Sequence, residues 1–138
     1  MAHLFVYGTL MSEEIMRQVT GVCPQSDPAV LEGFSRRAVR GEPYPGILPE
    51  EGSRVEGVLY RDVPEASWER LDRFEGAMYE RRSVQVELIG GSVEKAAAYV
   101  VRPEYRHYLD RAGWDFEEFL NRGIARFQGS YPGYRHLD

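Results

Sequence analysis

The spacing of apolar and polar positions changes several times along the chain, and each change marks an element. Leu4-Phe5-Val6 is an unbroken apolar run of strand-favouring residues that stops at Gly8, so residues 3 to 7 are predicted to be a buried strand. Ser12 followed by Glu13 and Glu14 predicts a helix start, with a hydroxyl oxygen for the first amides and acidic groups at the positive helix end. That helix is short and ends by Gly21. Between residues 28 and 62 the signals are strand-like: Val30, Leu31 and Phe34, then Ala38 and Val39, then Val55, Gly57 and Leu59 alternating with Glu56, Val58 and Tyr60. Gly41, Pro43, Pro45, Gly46, Pro49 and Gly52 punctuate this stretch and predict tight connections within a meander or barrel.

From Pro64 to Phe74 the period becomes helical, with Trp68, Leu71 and Phe74 at three-residue steps and a stop near Gly76. Val84, Val86 and Leu88 then alternate with Ser83, Gln85 and Glu87, and the Gly90-Gly91 turn leads into a partner strand from Val93 to Val101. Asp115 with Glu118 three positions on resembles a capping box, and Phe116, Phe119, Leu120, Ile124 and Phe127 form a helical stripe to about Arg126. Residues 128–138 read as a tail that packs over the body or stays loose. With no internal repeat or linker, residues 1–138 are expected to form one domain of the mixed α/β (α+β) class.

Composition narrows the chemistry. A chain of 138 residues with 43% apolar content has the size of one compact core, so one site is expected. A net charge of -5 with no basic block argues against a nucleic-acid partner. Cys23 is the only cysteine, which rules out an internal disulfide and fits a reducing cytoplasm. The opening Met-Ala-His-Leu-Phe-Val-Tyr lacks the basic start and apolar length of a signal peptide, and no run approaches the length of a membrane span. A soluble, cytoplasmic protein is the expectation, and nothing in the pattern speaks to its oligomeric state. His3, His107 and His136 have no paired ligand spacing, and no P-loop or dinucleotide fingerprint is present, so neither a metal nor a cofactor is expected. Cys23 reads as structural, since nothing near it in sequence would activate a thiolate.

Two stretches carry candidate chemistry. Tyr7-Gly8-Thr9-Leu10 follows the first strand, where a glycine allows a sharp turn that leaves amides free to face an anion; taken alone, a simple turn explains it as well. Glu75 directly follows the apolar stripe of the second helix, so its carboxyl is aimed at a helix-to-strand junction, where burial would raise its pKa and suit it to proton shuttling. Taken alone, a solvated glutamate in a helix's last turn is the plainer reading. Asp72 and Arg73 fall on the polar side of that helix, where a surface ion pair is expected. Tyr44-Pro45-Gly46-Ile47 fits either a pocket wall or an aromatic lid over the core.

Together these segments resemble the γ-glutamylcyclotransferase-like superfamily: Leu4-Phe5-Val6-Tyr7-Gly8-Thr9-Leu10, Tyr44-Pro45-Gly46-Ile47, Val55-Glu56-Gly57, and Leu71-Asp72-x-Phe74-Glu75-Gly76 with Tyr79-x-Arg81, in the family's order over roughly the first 100 residues. Met11 and the Tyr-Pro-Gly-Ile stretch are most similar to the branch of plant avirulence-induced proteins and their bacterial relatives. The resemblance implies a small mixed β-barrel flanked by helices, with a cavity at its mouth. It implies that Tyr7, Gly8, Thr9 and Leu10 hold a glutamyl group, that Glu75 is the catalytic acid-base residue, and that Tyr79 lines the pocket. The implied reaction closes a γ-glutamyl amino acid or amine into 5-oxoproline and frees the amine, on a small-molecule substrate and without a cofactor. The spacing from Glu75 to Tyr79 is shorter than in the animal glutathione-pathway enzyme, which sets that enzyme's substrate preference aside. A non-catalytic binding module on the same fold is the main alternative; hydrolysis of another amide by water activated at Glu75 is a third. Tyr131, Tyr134 and Arg135 are candidates for the leaving-group end, with surface packing as their plainer role.

Overall fold

The first strand, β1 (Ala2–Val6), is apolar on consecutive positions because its two faces enter different cores. Leu4 and Val6 join the layer beneath the helices, whereas Phe5 and then Tyr7 join the barrel interior. The computed structural model describes residues 2–136, with side chains to residue 134. The other strands are β2 (Ser26–Ala38), β3 (Pro45–Val63), β4 (Tyr79–Leu88) and β5 (Val93–Val101). They close a mixed barrel in the order β1-β3-β2-β4-β5, sealed by a parallel contact of Leu4 with Ala97. This is the predicted fold class. Leu31, Ile47, Val55, Leu59, Val86 and Val100 fill the interior.

The strands between residues 28 and 62 differ from the expected series of short strands. Pro45, Gly46, Pro49 and Gly52 lie inside one 19-residue strand, β3, which pairs with β2 from Ser26↔Tyr60 to Ala38↔Pro45. A register shift between Glu32 and Phe34 absorbs the irregular stretch opposite it. Proline is compatible with a strand where the ladder does not require its missing N–H. The β4–β5 hairpin through Gly90-Gly91 is as predicted, with Tyr79 opposite Val101 and Glu87 opposite Val93.

Two helices cover one side of the barrel. In α1 (Glu13–Thr20) the Ser12 hydroxyl accepts from the Ile15 amide at 3.3 Å, and Ile15, Met16 and Val19 are buried. Helix α2 (Glu65–Glu75) starts after Pro64 and buries Trp68, Leu71 and Phe74, the three residues of its predicted stripe. Gly76, with φ of 81°, ends it and turns the chain sharply towards β4 straight after Glu75.

The carboxyl-terminal helix runs past Arg126 to Ser130. It comprises α3 (Phe116–Glu118), a π turn (Phe119–Gly123) and α4 (Ile124–Ser130), capped by Asp115, whose carboxylate accepts from the amides of Glu117 and Glu118 at 2.8 and 3.3 Å. At 3.6 residues per turn Phe119 and Phe127 would face about 80° apart. The wider π turn brings both to the buried side, and the same phase shift turns Leu120 out to solvent, against its place in the predicted stripe. Beyond it a 3-10 turn (Pro132–His136) packs back on the body, so the expected tail begins inside the helix and is seated. Residues 137 and 138 lie outside the described chain. Pro103–Tyr108 forms another 3-10 turn that no sequence signal announced. No helix among the described residues is long and apolar enough to cross a membrane.

Candidate functional site

The end of β1, the starts of β3 and β4, the end of β5, the last residue of α2 and helix α4 converge on one narrow cleft. It encloses about 390 Å³ of empty space, counting its open mouth. Its wall includes Tyr7, Gly8, Thr9, Leu10, Glu75 and Tyr79, so all six residues singled out from the sequence meet there.

The turn after β1 is buried and shaped by its neighbours. The Met11 amide donates to the Gly8 carbonyl at 3.0 Å and the Ser12 amide to the Thr9 carbonyl at 3.1 Å. The first amides of such a single turn have no acceptor inside it. A β-carbon on Gly8 would sit 2.7 Å from Cγ and 2.9 Å from Cδ of Pro45, so glycine is what lets the two motifs touch. Leu10 contributes backbone to the cleft while its side chain joins the core, and its carbonyl accepts from the Tyr60 hydroxyl at 2.8 Å. Outside the wall, Arg36 donates from Nη1 to the Tyr7 carbonyl at 2.8 Å and to the Glu56 carbonyl at 3.1 Å, with its guanidinium 5.6 Å from the centre of the Trp114 ring.

Glu75 faces this turn from α2. Burial removes water from its carboxyl and the charge of Asp72 opposes ionisation, which together push its pKa up to about 8. The residue is only partly covered, because it opens into the cleft that it lines. Burial and Asp72 act on the carboxyl with no hydrogen-bond donor to offset them, and the side chain lines the cleft, where an incoming molecule can reach it.

Five tyrosines, Tyr7, Tyr44, Tyr79, Tyr99 and Tyr131, dominate the rest of the wall, beside the apolar Phe5, Val6, Pro45 and Phe127. Tyr7 donates to the Tyr99 carbonyl at 2.7 Å, Tyr79 to the Pro45 carbonyl at 2.7 Å, Tyr99 to Oδ1 of Asp72 at 2.6 Å, and Tyr131 to the Glu75 carbonyl at 3.1 Å. These hydroxyls are committed to the protein, so the cleft is offered mainly ring surface. Burial first, and then the nearby Glu75 charge, raises the phenols of Tyr7 and Tyr131 above their ordinary value, and that of Tyr44 reaches about 12, chiefly through burial. They stay neutral at physiological pH, and Glu75 is left as the group in the wall that changes charge near neutrality.

Several contributors carry no local sequence signal. Tyr99 is one alternating position in β5, and its place in the wall follows from barrel closure. Asp72 is more than the expected surface ion pair: it links Tyr99 to Arg81, whose Nη1 lies 3.5 Å away. Arg73 does pair on the surface, with Glu69 at 2.6 Å. Tyr44 answers to both of its readings, lining the cleft and packing edge-on against Phe127 and Tyr131 at 5.9 and 5.1 Å. Tyr131 is in the wall, Tyr134 packs on Phe74 at 5.4 Å, and the Arg135 side chain lies outside the described residues. Cys23 donates to Glu13 at 3.2 Å, and burial together with that carboxylate raises its thiol pKa, which keeps it protonated. Among the described residues no group of three or more His, Cys, Asp or Glu side chains is placed to hold a metal.

A closed five-strand barrel with helices on its flank is the γ-glutamyl cyclotransferase-like fold. Residues 4–116 match the family described as "Gamma-glutamyl cyclotransferase, AIG2-like", and the chain belongs to it. It is 35% identical over 128 residues to AIG2-like protein D of Arabidopsis thaliana, covering 92% of this chain and 84% of that protein. The solution structure of an Arabidopsis thaliana protein superposes with a TM-score of 0.70 at 26% identity, over 93% of this chain and 86% of that one. A structure named gamma-glutamyl cyclotransferase shares the fold with a TM-score of 0.66 at 19% identity, over 76% of this chain and 73% of that one.

Proposed function

We propose that the protein is a cofactor-independent γ-glutamyl cyclotransferase that converts a γ-glutamyl amino acid or γ-glutamyl amine into 5-oxoproline and the free amine, in the reducing cytoplasm that its lone cysteine suits. The observation that carries this reading is Glu75: a carboxyl with raised proton affinity in a cleft whose wall also holds the Tyr7–Leu10 turn.

The substrate supplies its own nucleophile. Its α-amine nitrogen and side-chain carbonyl carbon are the two ends of a five-atom chain, so attack closes a favoured five-membered ring. In the empty cleft Glu75 is mostly protonated at neutral pH. An entering α-ammonium group favours its ionised form, and the carboxylate then takes a proton from that ammonium. The freed amine forms a C–N bond to the side-chain carbonyl carbon (Cδ), whose oxygen takes up the negative charge. Collapse of this intermediate breaks the original amide C–N bond as Glu75 gives its proton to the departing nitrogen, and the second proton lost by the ring nitrogen passes through the same carboxylate to the amine, which leaves as its ammonium form. Such proton transfer typically contributes about 10² to 10⁴-fold. The backbone of Gly8, Thr9 and Leu10 orients the glutamyl end through the substrate carboxylate or the developing oxyanion, and Tyr79 closes the wall behind it.

The test is to incubate the purified protein and its Glu75→Gln variant with a panel of γ-glutamyl amino acids and amines and to measure 5-oxoproline. Release by the wild type and its loss in the variant are expected. Free glutamate in place of the cyclic product would assign a hydrolase, and silence across the panel with ligand binding retained would assign a binding module.

A further inference from the structure

Arg36 is a half-buried guanidinium; the carboxylates of Glu56 and Asp115 favour its charge from nearby, but burial outweighs them and neither carboxylate accepts a hydrogen bond from it among the described residues. Its Nη1 instead serves two main-chain carbonyls, Tyr7 at 2.8 Å and Glu56 at 3.1 Å. A desolvated cation that spends its hydrogen bonds on neutral carbonyls keeps its charge available to whatever stands next to those peptides.

The geometry of one peptide gives this contact a consequence. A trans peptide is planar, and its C=O and the following N–H point in opposite directions. Among the described residues no peptide bond is cis. The Tyr7 carbonyl is drawn to Arg36, which is not part of the cleft wall, whereas Gly8 is part of it. The Gly8 N–H therefore points away from Arg36, and Gly8 itself lines the cleft. Trp114 limits the movement of the guanidinium, with its ring 5.6 Å away and its own Nε1 donating to the Pro43 carbonyl at 2.8 Å. Pro43 precedes the Tyr44-Pro45 segment that packs on Gly8, so both ends of the arrangement are tied to the same loop.

We propose that Arg36 is a positioning residue for the anionic end of the substrate: by holding the Tyr7 carbonyl it fixes the Gly8 N–H towards the cleft, and its positive charge on that carbonyl strengthens the peptide as an anion donor. This rests on the cyclotransferase reading of the cleft and adds to it a residue from β2 that lies outside the wall. Arg36 touches no substrate in this scheme; it acts through one peptide bond.

The test compares Arg36→Gln, which keeps a donor and removes the charge, Arg36→Met, which removes both, and Arg36→Lys, which keeps the charge. The probes are 5-oxoproline and 2-pyrrolidinone, the same ring without the carboxylate, with binding measured by calorimetry and melting temperature recorded for each variant. Loss of a charge-assisted interaction corresponds to roughly 10- to 100-fold in affinity. Arg36→Met is expected to weaken 5-oxoproline by that order while leaving 2-pyrrolidinone unchanged, Arg36→Gln to fall between, and Arg36→Lys to recover most of the loss. KM for γ-glutamyl substrates rises in parallel, with a smaller change in kcat. Equal weakening of both rings, or 5-oxoproline affinity in the folded Gln and Met variants equal to that of the wild type, overturns the assignment of Arg36 alone. A wild-type protein that binds neither ring and releases no 5-oxoproline overturns the cyclotransferase reading, and this proposal with it.

Discussion

Asp72 and Glu75 stand one turn apart on α2, and the charge of the first raises the proton affinity of the second. Burial is the larger cause and Asp72 the smaller. Tyr99 fixes Asp72 by a 2.6 Å hydrogen bond, and Arg81 at 3.5 Å offsets part of its charge. The phenols of Tyr7, Tyr44, Tyr79, Tyr99 and Tyr131 and the Asp72–Arg81 pair are charged or titratable groups arrayed around Glu75. The phenols remain neutral through the range in which Glu75 ionises.

Removing the Asp72 charge makes Glu75 easier to ionise. The acid limb of the kcat/KM profile, which reports the free enzyme, therefore moves to lower pH in Asp72→Asn, and in Arg81→Met it moves to higher pH. Opposite displacements of the two profiles are the expected result; displacement of both in the same direction would show that these side chains act by packing.

The raised proton affinity of Glu75 also costs stability at higher pH. An unfolded chain gives up this proton near pH 4.5, whereas the folded chain holds it to about pH 8, so the native state loses stability as pH rises between those values. The cost is absent below pH 4.5 and complete above pH 8, at most roughly 5 kcal/mol. Glu75→Gln removes it. Melting curves should show the variant close to wild type at pH 4.5 and increasingly more stable towards pH 9; a gap that does not grow with pH would place the carboxyl in water.

The carboxyl-terminal segment is both structural and part of the wall. Tyr131 stacks on Phe127 at 4.6 Å, meets Phe74 at 5.0 Å and donates to the Glu75 carbonyl at 3.1 Å, and these residues lie beyond the 4–116 span that matches the family. Each aromatic pair contributes about 0.5–1.5 kcal/mol beyond area burial. A chain ending at residue 127 is expected to melt many degrees lower and to lose activity. Tyr131→Phe, which removes only the hydrogen bond, should cost about 0.5–1.5 kcal/mol. A shortened chain with wild-type melting and turnover would return residues 128–138 to the status of a loose tail.

How far the sequence led follows from where each signal lives. The Trp68-Leu71-Phe74 stripe and the β4–β5 hairpin were legible because period and turn chemistry are local. Strand β3 was not, since its prolines and glycines look like turns until the pairing with β2 is known. Leu120 was assigned to the buried face because a π turn changes the helical phase without an obvious local signature. In the site, Tyr7 to Leu10, Glu75 and Tyr79 lie in contiguous motifs and could be named. Tyr99, Asp72 and Arg36 could not, because their roles depend on contacts 27 to 29 positions away in the chain.

The central claim is that the Glu75 carboxyl is sheltered in the cleft. Carbon NMR of side-chain carboxyls across pH, with the Glu75 signal identified by its absence in Glu75→Gln, measures this without reference to any substrate. A midpoint near pH 8 is the predicted result. A midpoint at about 4.3, the value of a glutamate in water, would contradict it.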